Sequence, residues 1–262
     1  MTRALSSTLF SMWHQLLTLL RSKRFLFVLL LAIVAPLLAY LVGDASKPMR
    51  HLLPITMVLT LGILAPLMGL LMGSSVISED IESKTLTYLF TRPVPRWSLF
   101  LGRWAAGALI VAVLLGLSSW WIGSHASSLG EGLNLSDRHR VPDGFTLRFV
   151  AASIISGVLY TTIAAGLSTF LKRAVITGLA YAFVLEMIVG NMPGSTQRFS
   201  IQYYLRNIIV DGDIGPFSKM GPMRLMELMT PADAMLRLAV VLLALLVGGC
   251  YIVQRRQYLL SS

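Results

Sequence analysis

The sequence of 262 residues has few of the residue types from which catalytic and metal sites are built. It contains one cysteine, Cys250, which cannot form a disulfide or a thiolate metal site within one chain. Its four histidines are scattered, and it has no G-x-x-x-x-G-K-[ST] run, the loop that holds nucleotide phosphates. Paired carboxylates and an activated nucleophile are also missing. We therefore predict that the chain is not an enzyme and holds no cofactor or metal of its own.

Charge is scarce as well. Only 13% of the residues are charged, against roughly 25% in soluble domains, and 55% are hydrophobic. The apolar residues form blocks of about 20 residues, the length that crosses a bilayer as a helix. No barrel-like alternation is present, and a backbone in hydrocarbon must satisfy its own hydrogen bonds. We predict an all-α polytopic membrane protein with a domain over 25–257 and six transmembrane helices, at about 25–42, 52–77, 104–124, 149–171, 174–192 and 238–254.

The distribution of bases predicts the orientation of these spans. With a cytoplasmic N-terminus, the inside segments carry 12 bases and 3 acids, whereas the outside segments carry 10 bases and 8 acids. This asymmetry follows the positive-inside rule. Both termini, including the tail 258–262, are therefore placed in the cytoplasm. The net charge of +10 is explained by bases at helix ends facing anionic lipid, without nucleic acid.

Residues 1–24 have the pattern of an amphipathic helix. The segment places apolar residues on one face and Ser11, His14, Gln15 and Thr18 on the other. The apolar face consists of Leu9, Trp13, Leu16, Leu17 and Leu20. This pattern favours an interfacial helix along the inner leaflet, and the alternative is a helix packed against neighbouring protein.

A polar stretch, SEDIESKTLTYLFTRPVPR, separates the second and third apolar blocks on the predicted cytoplasmic side. Its acids fall in the first turns of a helix that Ser78 could cap, and Pro93 and Pro95 end that helix. Leu86, Leu89 and Phe90 then form a short apolar patch rimmed by charge. Such a patch is typical of a docking surface for another protein. The alternative is a solvated loop.

This stretch resembles one in the ABC-2 type permeases of the six-helix branch, the membrane subunits of ATP-binding-cassette transporters. The family's acidic pair, its Ser-Gly-Thr-Leu-like run and its Leu-Leu-x-x-Pro-x-x-Arg-like run have counterparts here, with Lys84 in place of the usual Gly and Arg103 where Lys is common. The resemblance implies that 78–96 holds a cytoplasmic coupling helix seated on a separate ATPase. The residues it implies for this contact are Glu79, Asp80, Ile81, Glu82, Thr85, Leu86, Leu89, Arg92, Pro93 and Arg96.

The resemblance implies further partners and a location. It implies an exporter built from two permease copies, with a homodimer favoured over a heterodimer, and two ATPase subunits that bind ATP and magnesium. It places the chain in a bacterial or archaeal plasma membrane. From the residues alone, an ATP-independent secondary carrier and a membrane scaffold or assembly protein stay open. Co-purification with an ATPase would distinguish an ABC permease from both of these alternatives.

Two outer features complete the sequence predictions. Glu186 is an intramembrane carboxylate, which either contacts substrate or protons or makes a structural pairing near the outer interface. The long outer loop 193–236, in which we expect short helices, contains methionines spaced by three. Thioethers bind Cu(I), so these residues are a weak candidate for a copper site, although an adaptable apolar face is the commoner use of such a pattern. They are Met220, Met223, Met226 and Met229.

Overall fold

The computed structural model describes residues 2–42, 55–76, 95–130, 141–171, 174–192, 195–211 and 227–255. Within these ranges all regular structure is helical, which confirms the predicted all-α fold. The helices are α1 (Thr2–Leu20), α2 (Lys23–Val42), the π-helix π1 (Ile55–Leu64), α3 (Ala65–Ser74), α4 (Arg96–Gly130), α5 (Phe145–Ser168), α6 (Ala174–Tyr181), the π-helix π2 (Ala182–Ile188), two 3-10 turns (Val189–Asn191 and Ser195–Phe199), α7 (Ile201–Val210) and α8 (Pro231–Arg255).

Among the described residues, five helices are long and apolar enough to cross a membrane. They cover Lys23–Val42, Met57–Ser74, Arg96–Leu129, Phe145–Ser168 and Pro231–Arg255. The remaining predicted span, 174–192, consists of α6, π2 and a 3-10 turn in succession. We call the side on which Val76 and Arg96 lie the inner side and the opposite side the outer side, following the predicted orientation.

Three helices start earlier than the apolar blocks that predicted them. The third span begins at Arg96 instead of 104, the fourth at Phe145 instead of 149, and the last at Pro231 instead of 238. Arg96 therefore lies in α4, and the outer loop ends before Pro231. The reason is that a charge-free run marks the hydrocarbon layer, whereas a helix continues past it while long basic side chains reach the polar interface.

The third and fourth spans form an antiparallel pair at the centre of the bundle. Gly157 of α5 lies against Leu115 of α4, and Gly123 of α4 lies against Thr146 of α5. Helix α3 runs parallel to α5 and approaches it closely, since a Cβ added at Gly73 would lie 2.3 Å from the backbone oxygen of Thr161. Small residues at such contacts let membrane helices pack by van der Waals forces. By contrast, α2 and α8 bury the smallest share of their residues and expose large apolar side chains.

The amphipathic helix α1 packs on the inner end of α4 through one side only of its predicted polar face, since Ser11 and Gln15 are buried whereas His14 and Thr18 are exposed. Ser98 of α4 is within 2.9 Å of Ser7 Oγ and 2.8 Å of Thr8 Oγ1. A Cβ added at Gly102 would lie 2.6 Å from the carbonyl oxygen of Thr8. Of the predicted apolar face, Leu9, Trp13, Leu17 and Leu20 are exposed, whereas Leu16 is partly buried and packs against the core. The helix therefore has both a protein contact and a free apolar face.

Candidate functional site

Most of the residues predicted to contact an ATPase lie outside the described part of the chain. Of that set, Arg96 alone is described, as the first residue of α4. Three of the four methionines of the weak copper candidate also lie outside it. Met229 is described, and its backbone N–H donates to Asn207 Oδ1 at 2.8 Å.

The polar stretch 78–96, called the polar segment below, is attached to the inner end of α4 on both sides. On the entry side, the guanidinium of Arg103 donates from Nη1 to the carbonyl oxygen of Val76 at 3.0 Å. This cation lies just beyond the C-terminus of α3, where the helix dipole favours positive charge. On the exit side, the chain runs directly into α4 at Arg96. A force on the segment would therefore reach α3 and α4 together.

The same end of α4 also contacts the last span. Phe100 packs against Gly249 of α8, where an added Cβ would lie 2.8 Å from the ring. With the contacts of Ser98 to α1, the first two turns of α4 touch α1, the second span and the last span. The inner end of α4 is thus the point where these elements meet.

On the outer side, Glu186 of π2 is buried and caps the N-terminus of α7. Its carboxylate accepts hydrogen bonds from Ser200 Oγ at 2.5 Å and from the backbone N–H groups of Ile201 and Gln202, each at 3.1 Å. The hydroxyl of Tyr181 is a further donor at 3.5 Å. A negative charge at this position is stabilised by unpaired N–H groups and by the positive end of the helix dipole. Gly190, beside Ser200, leaves room for this contact.

This geometry supports the structural alternative for Glu186. Both oxygens accept hydrogen bonds from the N-terminus of α7 and the Ser200 hydroxyl before it. Charge-assisted bonds of this kind are about twice as strong as neutral ones. Contact with a substrate or a proton stays an untested prediction.

Sequence reasoning missed Gln202, whose side chain connects α7 to two spans. Its Nε2 donates to the carbonyl oxygen of Leu61 in π1 at 2.6 Å and to the hydroxyl of Tyr160 in α5 at 3.3 Å. Ser200 could have been found, because a serine before an apolar helical run is a typical N-cap and its Oγ accepts from the Gln202 N–H at 3.1 Å. No local signal points to the pairing of Gln202 with Leu61.

The C-terminal end of α7 is fixed as well. Asp211 ends the helix in the left-handed conformation, with φ 49°, and its carboxylate accepts from Arg148 Nη1 of α5 at 2.5 Å. Arg148 Nη2 also donates to the Asp143 carbonyl oxygen at 2.6 Å. In the turn before the other end of α7, Arg198 pairs with Glu227, whose carboxylate raises the pKa of that guanidinium. Helix α7 is therefore attached to the spans at both ends.

Comparison with known proteins agrees with the architecture. None of the curated proteins matches the sequence of this chain. The profile of the family described as ABC-2 family transporter protein matches residues 9–248, which cover most of the chain from within α1 to near the end of α8. The chain therefore belongs to the ABC-2 family of transporter proteins.

Proposed function

We propose that this chain is the permease subunit of an ABC exporter, that it forms the translocation path as a dimer, and that separate ATPase subunits drive it through residues 78–96. Membership of the ABC-2 family makes the chain a multi-pass membrane component of an ABC transporter, and it implies association with an ABC ATPase. Export, dimerisation and the site of coupling are the steps that go beyond the family match.

The observation that carries the proposal is the polar segment in a chain of this family. Between two apolar spans, it combines acids and bases with the apolar residues Leu86 and Leu89. Charged residues around an apolar contact orient the two proteins relative to each other and determine which partner binds. Both ends of the segment join the inner end of α4, through Arg103 and Val76 on one side and Arg96 on the other. Because of these connections, a movement of the polar segment would also move the inner ends of α3 and α4.

The mechanism is mechanical. Closure of two ATPases on ATP and magnesium would move the segments, and the bundles would change between inward-open and outward-open states. Coupling requires that the segment contact the two ATPase states differently. The basic inner segments support a cytoplasmic location of both termini in a bacterial or archaeal plasma membrane. ATP hydrolysis would take place on the partner, since this sequence has no phosphate-binding loop.

The first prediction tests this coupling by co-purification. The chain is co-expressed with an ATPase that carries Walker motifs and is encoded in an adjacent reading frame. We expect the ATPase to co-purify with the native chain and to be lost with Leu86→Asp or Leu89→Asp, because a carboxylate would replace the apolar anchor. Leu135→Asp, in the predicted outer loop, is the matched control and should retain the ATPase.

Two outcomes would overturn the proposal. If no ATPase binds the native chain, a secondary carrier or a membrane scaffold becomes the better account. If the ATPase binds all variants equally, the contact does not involve Leu86 and Leu89.

A further inference from the structure

Two π-helical segments meet at the first turn of α7. One is π1 (Ile55–Leu64), at the outer end of the second span, and the other is π2 (Ala182–Ile188), which carries Glu186. π-helices are rare, appear mostly as single turns, and are frequent at functional sites. In π1 the wide turn is supported by the Thr60 hydroxyl, which donates to the Ile55 carbonyl oxygen at 3.0 Å. The N-terminus of α7 is thus a joint between two irregular segments.

The carbonyl oxygen of Leu61 cannot receive the backbone hydrogen bond that π-helical pairing would give it. In a π-helix this carbonyl pairs with the nitrogen of the residue five positions later, which is Pro66 and has no N–H. The side-chain amide of Gln202 donates to this carbonyl oxygen at 2.6 Å. The contact also fixes the amide orientation, because a flipped amide would place its oxygen against the oxygen of Leu61.

Gln202 is therefore held from three directions. Its backbone N–H donates to Glu186, and its side chain donates to Leu61 and to Tyr160. Its own oxygen, Oε1, is buried and has no hydrogen-bond partner among the described residues. An unsatisfied buried acceptor is unfavourable and calls for an explanation. A second position of α7, in which this oxygen gains a donor, would supply one.

The second span links this joint to the polar segment. From Leu61 the chain continues through the end of π1 and through α3 to Val76, 15 positions later and roughly 20 Å away along the helix axis. Helix α3 is packed against α5 at Gly69 and Gly73, so it is held along its length. At its inner end, Arg103 holds Val76 at the entry to the polar segment. One continuous element thus contacts the segment at one end and Gln202 at the other.

We propose that Gln202 is a positioning residue that transmits movement of the second span to α7, so that nucleotide binding at the inner side changes the position of α7 at the outer side. This inference rests on the proposed function, because an ATPase must act on the polar segment. In this proposal α7 moves together with the preceding 3-10 turn. That turn ends at Phe199, whose side chain is exposed. Shared contacts alone do not establish coupling, so the test must compare two nucleotide states.

The second prediction concerns the complex of this chain with its ATPase, with Cys250→Ser and Phe199→Cys. Phe199 is 85% exposed and precedes Ser200, so a thiol there reports on the start of α7. The rate of labelling by a membrane-impermeant maleimide is measured without nucleotide and after trapping with ATP and vanadate. We expect the two rates to differ in this parent. Gln202→Met keeps the side-chain length but loses both side-chain hydrogen bonds. In this variant the ratio of the labelling rate after trapping to the rate without nucleotide should be about one, while ATP hydrolysis persists.

The matched control is Gln197→Met. Gln197 is a buried glutamine in the preceding 3-10 turn, and its Nε2 has no partner within the described ranges. This variant should keep the parental ratio. Gln202→Asn, which shortens the amide by one methylene, serves as a second variant and should also bring the ratio close to one.

Three results separate the possibilities. Retention of the parental ratio by both Gln202 variants overturns the inference, and so does a parent whose two rates are equal although it binds the ATPase. A parent that binds no ATPase overturns the proposed function, and this inference with it.

Discussion

At the scale of single residues, the buried carboxylate of Glu186 shows how one side chain can organise a membrane protein. A charge at this depth is expensive unless donors surround it. Here the donors are the first N–H groups of α7 and the hydroxyl of Ser200. The carboxylate and the helix N-terminus therefore satisfy each other, and the start of α7 is tied to π2.

The third prediction is that Glu186→Gln destabilises the protein. The amide has one acceptor oxygen, and its NH2 group would face N–H donors that now bond to the carboxylate. We expect a loss of about 1–3 kcal/mol in the free energy of unfolding, because a buried donor is left unpaired. The measurement is the thermal unfolding midpoint of the purified protein in detergent, which should fall by several degrees.

Glu227→Gln is the matched control for this change. Glu227 pairs with Arg198 at the surface, where each side chain is 50% exposed. Exposed ion pairs contribute little to stability because water screens them, so this variant should melt within about 2 °C of the native protein. Equal melting temperatures of the native protein and Glu186→Gln would contradict the capping role.

The sequence predicted part of this site. Glu186 stands out because it is the acid inside an apolar block, which is a local property. Its partners Ser200 and Gln202 lie 14 and 16 residues away, beyond the end of the span, and no period connects them to it. The pairing of Gln202 with Leu61 joins residues 141 positions apart and depends on how the spans pack. Such contacts are set by tertiary structure.

At the scale of elements, apolar block length predicted where membrane-crossing helices lie but not where they begin. Helix α4 starts eight residues before its predicted span, since Arg96 and Arg103 lie on helical turns at the interface. For the last span, Thr230 caps the helix, and its Oγ1 accepts from the Asp233 N–H at 3.2 Å. The start of this helix is therefore marked by its capping residue and not by the start of the charge-free apolar block.

The fourth prediction concerns the contact between α3 and α5. In Gly73→Ala the new Cβ would lie 2.3 Å from the Thr161 carbonyl oxygen and 2.7 Å from the Ala164 Cβ, so the two helices must move apart. Overpacking of this kind costs about 1–3 kcal/mol. The variant should lower the thermal unfolding midpoint and, in the ATPase complex, reduce ATP hydrolysis.

Gly166→Ala tests whether the effect is specific to the close contact. Gly166 lies in α5, and nothing is within 4 Å of a Cβ added there. Since alanine favours helix over glycine, this change should be neutral or slightly stabilising. The packing argument would be wrong if both variants lowered the midpoint by the same amount.

At the scale of the whole molecule, fold class was the most predictable property. Long apolar blocks leave a chain few alternatives to helices, because lipid cannot satisfy the backbone. The family was predictable from one polar stretch, and the profile that matches residues 9–248 supports the same assignment. The number of subunits in the working transporter depends on contacts between chains, which native mass spectrometry can measure.

The last prediction is that the complex contains two permease copies and two ATPases. Each copy supplies one polar segment, and an ATPase pair that closes on nucleotide needs one segment for each of its members. In addition, α2 and α8 each have an apolar face that the described residues leave exposed. Native mass spectrometry of the co-purified complex should therefore show a two-to-two composition.

Leu86→Asp separates the two interfaces of this assembly. Because we propose that Leu86 contacts the ATPase, its substitution should release the ATPases and leave a complex of two permease copies. A single permease copy with bound ATPase would contradict the dimer. A permease that becomes monomeric whenever the ATPase is lost would indicate that the motor, and not contact between the bundles, holds the two copies together.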